Sequence, residues 1–131
     1  MIEINNLTTV SVDEEFLKGV AKKVLKGEKQ ENKDLSIALV GQGRIRELNK
    51  KYRGKNRVTD VLAFPGNGLG EIVICLREVK KNAKKFGSSF KKELSTCLIH
   101  GILHLLGYDH EKSVEEVKKM RDREEYYLSQ V

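Results

Sequence analysis

Scarcity marks this chain of 131 residues: one proline, two cysteines, three histidines and no tryptophan. A single proline, Pro65, excludes a proline-rich linker or a polyproline recognition arm. Two cysteines are too few for the disulfide framework of a small secreted scaffold. Cys75 and Cys97 both lie in apolar runs (EIVICL and STCLIHGIL), so they read as buried thiols of a reduced, cytoplasmic protein. No apolar run approaches the roughly 20 residues of a membrane span. The opening MIEINNLTTV lacks the basic and apolar regions of a signal peptide. Repeats and low-complexity tracts are absent too. These exclusions leave a soluble single domain over residues 1–131, long enough to bury roughly two-thirds of its unfolded surface without a disulfide or metal staple.

Acid is also in deficit. Lys and Arg number 25 against 19 Asp and Glu, a net charge of +6 and a pI near 9.3. Such a balance favours a polyanionic partner, nucleic acid or an anionic surface. The imbalance is local: residues 79–92, VKKNAKKFGSSFKK, hold six lysines and no acid. Arg44, Arg46, Arg53 and Arg57 gather around the polar segment YRGKNRVTD. Arginine presents a planar fork of donors that matches phosphoryl oxygens. Arg44, Arg57, Lys84 and Lys85 are therefore candidate substrate contacts, although each taken singly also reads as a solvated surface charge. Tyr52 and Phe86 would stack on bases, but packing is the simpler account of both.

Periodicity lays out the elements. Residues 2–4 form a short strand, and Ser11-Val12-Asp13-Glu14 has the form of a capping box. It opens an amphipathic helix with Phe16, Leu17, Val20, Val24 and Leu25 on one side, and Gly27 is a natural stop. A strand over 35–40 runs into a Gly41-Gln42-Gly43 turn and a short helix around 45–52. Residues 61–64 and 71–76 are paired strands on either side of PGNGLG. A lysine-rich helix over 77–86 stops at Gly87. The segment 90–106 is apolar on most sides and should be a central buried helix. Ser113-Val114-Glu115-Glu116 is a second capping box, opening a last amphipathic helix. Helices and strands mix without regular alternation, which makes the fold class α+β.

The three histidines all fall in HGILHLLGYDH, at His100, His104 and His110. On a helix, residues four apart differ by about 40° around the axis and about 6 Å along it, so His100 and His104 project side by side. On a continuing helix His110 would lie about 15 Å away. Gly107 resolves this, because glycine takes the left-handed conformation that ends a helix and lets the chain turn back. Three imidazoles suit zinc with its fourth position open, a catalytic rather than a structural arrangement. Nickel, cobalt and copper accept the same ligands. Two rivals stand beside this: Cys97 as a fourth ligand of a closed structural site, and histidines packed together without a metal.

In H-E-x-x-H metallopeptidases the glutamate after the first histidine is the general base. Gly101 occupies that position here, and Asp109 is the nearest carboxylate that would substitute. Peptide hydrolysis by the usual route is disfavoured. Phosphoryl chemistry relies more on positioning and charge stabilisation, which a metal and an arginine together supply. The alternatives are a metallohydrolase of peptides or small molecules, using Asp109 or another base, and a ribosome-associated RNA-binding protein with a structural zinc.

HGILHLLGYDH resembles the signature of the YbeY family of bacterial endoribonucleases. LNKKYRGKNRVTDVLAFP resembles that family's second motif and GEIVIC its following strand, in the same order. The resemblance implies a zincin-like α+β fold with one zinc held by His100, His104 and His110. It implies cleavage of single-stranded RNA, ribosomal RNA precursors as substrates, the ribosome as a partner, and roles in rRNA maturation and ribosome quality control. The functionally important arginine of the family's second motif corresponds to Arg53, here the expected catalytic residue. Val58, Ala63 and Glu71 depart from the proline, serine and aspartate common at those positions, and Ala63 removes a hydroxyl near the site.

Overall fold

The computed structural model describes residues 1–109 and 111–131. Among them run, in chain order, β1 (Ile2–Asn6), α1 (Glu14–Gly27), β2 (Leu35–Val40), α2 (Gln42–Arg53), β3 (Val61–Pro65), β4 (Gly70–Cys75), α3 (Leu76–Lys85), α4 (Phe90–Leu105) and α5 (Val114–Ser129). The strands form one mixed sheet in the order β1-β2-β4-β3, with β1, β2 and β4 parallel and β3 antiparallel to β4. The architecture is α+β, as the unalternating pattern of elements suggests.

The central strands are apolar on both faces because both faces are covered. Leu35, Ile37, Leu39, Ile72 and Ile74 join residues of α1, α3, α4 and α5 in the larger core. Ala38, Val40, Val73 and Cys75 face the other way and pack with Ile45 and Leu48 of α2. Among the described residues no helix is long and apolar enough to cross a membrane.

Helix α4 touches α1, α3, α5, β3 and β4. Ser89 caps its start, accepting a hydrogen bond from the Lys92 amide at 3.0 Å. Leu98, Ile99, Ile102 and Leu103 are each 1% exposed or less, and such burial stabilises by about 1.5–3 kcal/mol per side chain. The helix lies so close to the sheet that a Cβ on Gly101 would stand 3.0 Å from Cγ2 of Ile72. At its other end Gly107 has φ +99°. The Gly107 amide donates to the His104 carbonyl at 3.1 Å and the Tyr108 amide to the Leu103 carbonyl at 3.0 Å. This is the Schellman arrangement, and it supplies the turn that the spacing of the histidines calls for.

Two local expectations are corrected. Helix α1 is capped by Asp13, whose carboxylate accepts from the Phe16 amide at 3.0 Å, not by Ser11. An ionised cap with Glu14 and Glu15 behind it suits the positive end of the helix better than a hydroxyl does. Gln42 and Gly43 belong to α2, with Gly41 as its N-cap, so no separate turn precedes the helix. Helix α1 does stop at Gly27, with Glu28 as its C-cap, and Lys29 takes the positive φ of 59°. Gly27 is small because a Cβ there would run into the ring of Tyr127.

Tyr127 reaches this point to share the carboxylate of Glu28. That carboxylate accepts from the Tyr108 hydroxyl at 2.6 Å, from the Tyr127 hydroxyl, and from Nη2 and Nε of Arg123 at 2.7 and 3.1 Å. One side chain thus ties the end of α1, the turn after α4 and the face of α5. Burial pushes the Glu28 carboxyl upward, but the hydrogen bonds from Tyr108, Tyr127 and Arg123 outweigh it and hold the group below its ordinary value. Burial and the bond to Glu28 push the Tyr127 hydroxyl up to about 12.

A depressed folded-state pKa means that Glu28 contributes stability above its unfolded pKa of about 4.3, and that this is lost as pH falls through the folded value. Glu28→Gln is expected to cost about 1–3 kcal/mol at pH 7 and progressively less as the medium is acidified below about pH 4. Urea unfolding of both proteins at pH 7 and pH 3.5 checks this; an equal penalty at both would contradict the assignment.

Candidate metal centre and basic cleft

His100 and His104 stand one turn apart on α4, with ring centroids 4.7 Å apart and ring planes at 77°. Both are half-buried. The Nδ1 atom of His100 lies 2.5 Å from Oε1 of Glu124 on α5. Both rings line a cleft of about 710 Å³ that runs between α4, strand β3 and the loop after α2. Two adjacent imidazoles are donors of the kind zinc and nickel take, so this part of the donor set fits a metal. The third expected ligand, His110, lies outside the described residues. Among the described residues no three His, Cys, Asp or Glu side chains are grouped so as to hold a metal ion.

Cations join the histidines in the lining: Arg53, Lys55, Arg57 and Lys112. Arg53 ends α2, and Gly54 turns the chain at φ 68°. Asn49 is 3% exposed; its amide donates to the Arg57 carbonyl at 2.9 Å, and its own carbonyl accepts from the Lys55 amide at 3.2 Å. Nε of Arg46 donates to the side-chain oxygen of Asn56 at 2.9 Å. The glycine-cornered loop is held from within, and it brings Arg53, Lys55 and Arg57 to the cleft. Nη2 of Arg53 donates to the Ala63 carbonyl of β3 at 3.3 Å, which ties the guanidinium to the strand.

The lining holds acids as well: Asp60, Glu93, Asp109 and Glu111. Asp60 accepts from the Cys97 thiol at 3.5 Å and from the Asn82 amide at 3.4 Å. Burial, and then the charge of Asp60, push the Glu93 carboxyl up. Burial first, and then Asp60, hold the Cys97 thiol well above its ordinary value. The thiolate is the form that ligates metals, and here the Cys97 thiol donates to Asp60. Cys97 is buried and free of any disulfide, as is Cys75. Asp109 also lines the cleft, and its carboxylate accepts from the Glu111 amide at 2.8 Å.

Of the other expected contacts, Arg44 is exposed near the start of α2 and does not line this cleft. Lys84 and Lys85 line an adjoining depression that shares Thr59 and Asp60 with it. Tyr52 meets Phe64 edge-on at 5.3 Å. Phe86 is 65% exposed at the cap of α3, so packing does not account for it. Sequence reasoning missed Asn49, Asp60, Glu93 and Glu124. Glu124 is one of several acids in VEEVKKMRDREEYYLS, and no spacing singles it out before α5 is docked.

The comparisons with known proteins agree with one another. The family model described as Endoribonuclease YbeY matches residues 3–131. A protein named endoribonuclease YbeY from Thermodesulfovibrio yellowstonii is 50% identical over 103 residues, covering 72% of this chain and 65% of that relative, just under two-thirds of its length. One of the same name from Petrotoga mobilis is 42% identical, covering 98% of this chain and 92% of that one. The solution structure of a Thermotoga maritima protein superposes with a TM-score of 0.74 at 39% identity, covering 98% of this chain and 87% of that one. The matched span takes in the histidine helix, the arginine loop and the strands between them, and the chain belongs to the YbeY endoribonuclease family.

Proposed function

We propose that this chain is a metal-dependent endoribonuclease that cuts single-stranded RNA, acting in the cytoplasm on ribosomal RNA precursors and serving rRNA maturation and ribosome quality control. The observation that carries the reading is one open cleft lined by two adjacent imidazoles and by Arg53, Lys55 and Arg57. His100, His104 and His110 would hold the metal, and zinc suits three imidazoles best, with nickel as a substitute. When bound, zinc supplies Lewis-acid charge beside a phosphate and the means to activate a nucleophile.

The rest of the chemistry belongs to the chain. Arg53 is charged at every working pH and carries five N–H donors in a fixed fork. Its bond to the Ala63 carbonyl aims the fork without consuming it, so it stabilises charge that develops on phosphoryl oxygens. Lys55 and Arg57 bind the backbone of the strand, with Lys84, Lys85 and Arg44 extending the positive field beyond the cleft. Binding should therefore weaken with salt. The two core clusters lie on the two faces of one sheet, which supports residues 1–131 working as one domain.

Two alternatives are less well supported. A peptide substrate would pair with the edge strand β3, where Arg53 takes the Ala63 carbonyl. Position 101 offers no base, and the Asp109 carboxylate already accepts from the Glu111 amide. A purely structural metal would have to hold the fold together, yet the core is closed by apolar side chains.

Arg53→Ala is expected to slow cleavage of an end-labelled single-stranded RNA by about 100-fold with zinc content unchanged, whereas His104→Ala loses both. Equal activity of the Arg53 variant would remove that residue from the chemistry. Chelation should abolish cleavage while the circular dichroism spectrum persists; loss of the fold would favour the structural role. Gly101→Glu, which restores the peptidase pattern, is expected to yield no casein hydrolysis and to cost about 3 kcal/mol or more, because a carboxylate is forced against Ile72. A stable, casein-cleaving variant in a melting and turnover assay would overturn this.

A further inference from the structure

We propose that Glu124 is a positioning residue for His100: from α5 it holds the Nδ1 edge of the ring, so that His100 meets a metal through Nε2. This rests on the metal-centre reading above and deepens it. The two groups lie 24 residues apart in sequence and on different helices, and their side chains are 26% and 30% exposed. A carboxylate only accepts hydrogen bonds, so at 2.5 Å the proton of the neutral ring sits on Nδ1 and the lone pair on Nε2. A neutral imidazole left to water favours the opposite tautomer, with its proton on Nε2. Glu124 therefore selects the less common form.

The holder is itself held. Glu124 falls one turn after Met120 and three residues before Tyr127, and those two are 1% and 2% exposed in the core. Arg123 beside it is fixed on Glu28. The neighbouring Glu125 is exposed, and Asp122 pairs with Lys118 along the same helix. The position of Glu124 on the docked face of α5, rather than the acidity of the helix, brings it to the ring. A carboxylate on the far nitrogen orients a ligating imidazole and strengthens it as a donor, and removing such a partner typically costs 10–100-fold in metal affinity.

The test is zinc affinity, measured by competition with a chromophoric chelator, for the wild type and the variants E124A, E124Q and H104A. It is joined by long-range proton–nitrogen NMR of the metal-free proteins at a pH where the rings are neutral. E124A is expected to bind zinc about 10–100-fold more weakly, and E124Q, which keeps an acceptor oxygen, to recover most of that loss. His100 should carry its proton on Nδ1 in the wild type and in E124Q, and on Nε2 in E124A. Zinc binding by E124A within about two-fold of wild type, while H104A loses the metal, would overturn the inference and leave the metal centre standing. E124Q as weak as E124A would replace positioning by plain charge and overturn it too. Zinc binding by H104A equal to wild type would instead sink the metal-centre reading. The tautomer needs no metal and no variant: an Nε2-protonated His100 in the wild type overturns the proposal by itself.

Discussion

The approach of α4 to the sheet is the constraint on which the site depends. At Gly101 the helix has no room for a methyl group between itself and Ile72, and on either side of that point it buries Leu98, Ile99, Ile102 and Leu103. A helix seated this firmly cannot roll. His100 and His104, which flank the glycine, are therefore presented along the remaining face at a fixed angle. The residue that a peptidase would use as its base is thereby spent on packing. Helix docking and choice of chemistry are one decision here.

The cleft is built from two kinds of support. The histidines are positioned by a core helix, whereas the cations come from the last residue of α2 and the loop that follows it. The loop is made dependable by polar means: a glycine corner, a buried asparagine bonded to both ends of the turn, and the Arg46–Asn56 contact. Its register is carried across the cleft by Arg53 on the β3 carbonyl. The same lining carries the acids Asp60 and Glu93, and burial, with the charge of Asp60, pushes the Glu93 carboxyl up.

Much of this was legible in the sequence, and the parts that were not share a cause. The short apolar runs LSIALV and EIVIC, the apolar helix at 90–106 and the glycine after LHLL each follow from local rules, because each is decided by neighbours in the chain. The spacing of His100 and His104 belongs with them. Asn49, Glu124 and the true purpose of Gly27 were invisible for the opposite reason. Gly27 is small on account of Tyr127, Glu124 matters through His100, and Asn49 acts on a loop eight residues away. The choice of Asp13 over Ser11 shows a finer limit. Two good caps stood two residues apart, and helix-end electrostatics decided between them.

The Glu28 carboxylate, where the first helix, the histidine turn and the last helix meet, gives these segments a common fate. Hydrogen bonds from Tyr108, Tyr127 and Arg123 converge on one group, so opening any of the three segments exposes partners of the other two. Local unfolding in proteins proceeds by cooperative units of this sort. The carboxylate beside His100 is carried on the same docked helix. Undocking α5 would part His100 from its carboxylate and release the Glu28 junction in one event.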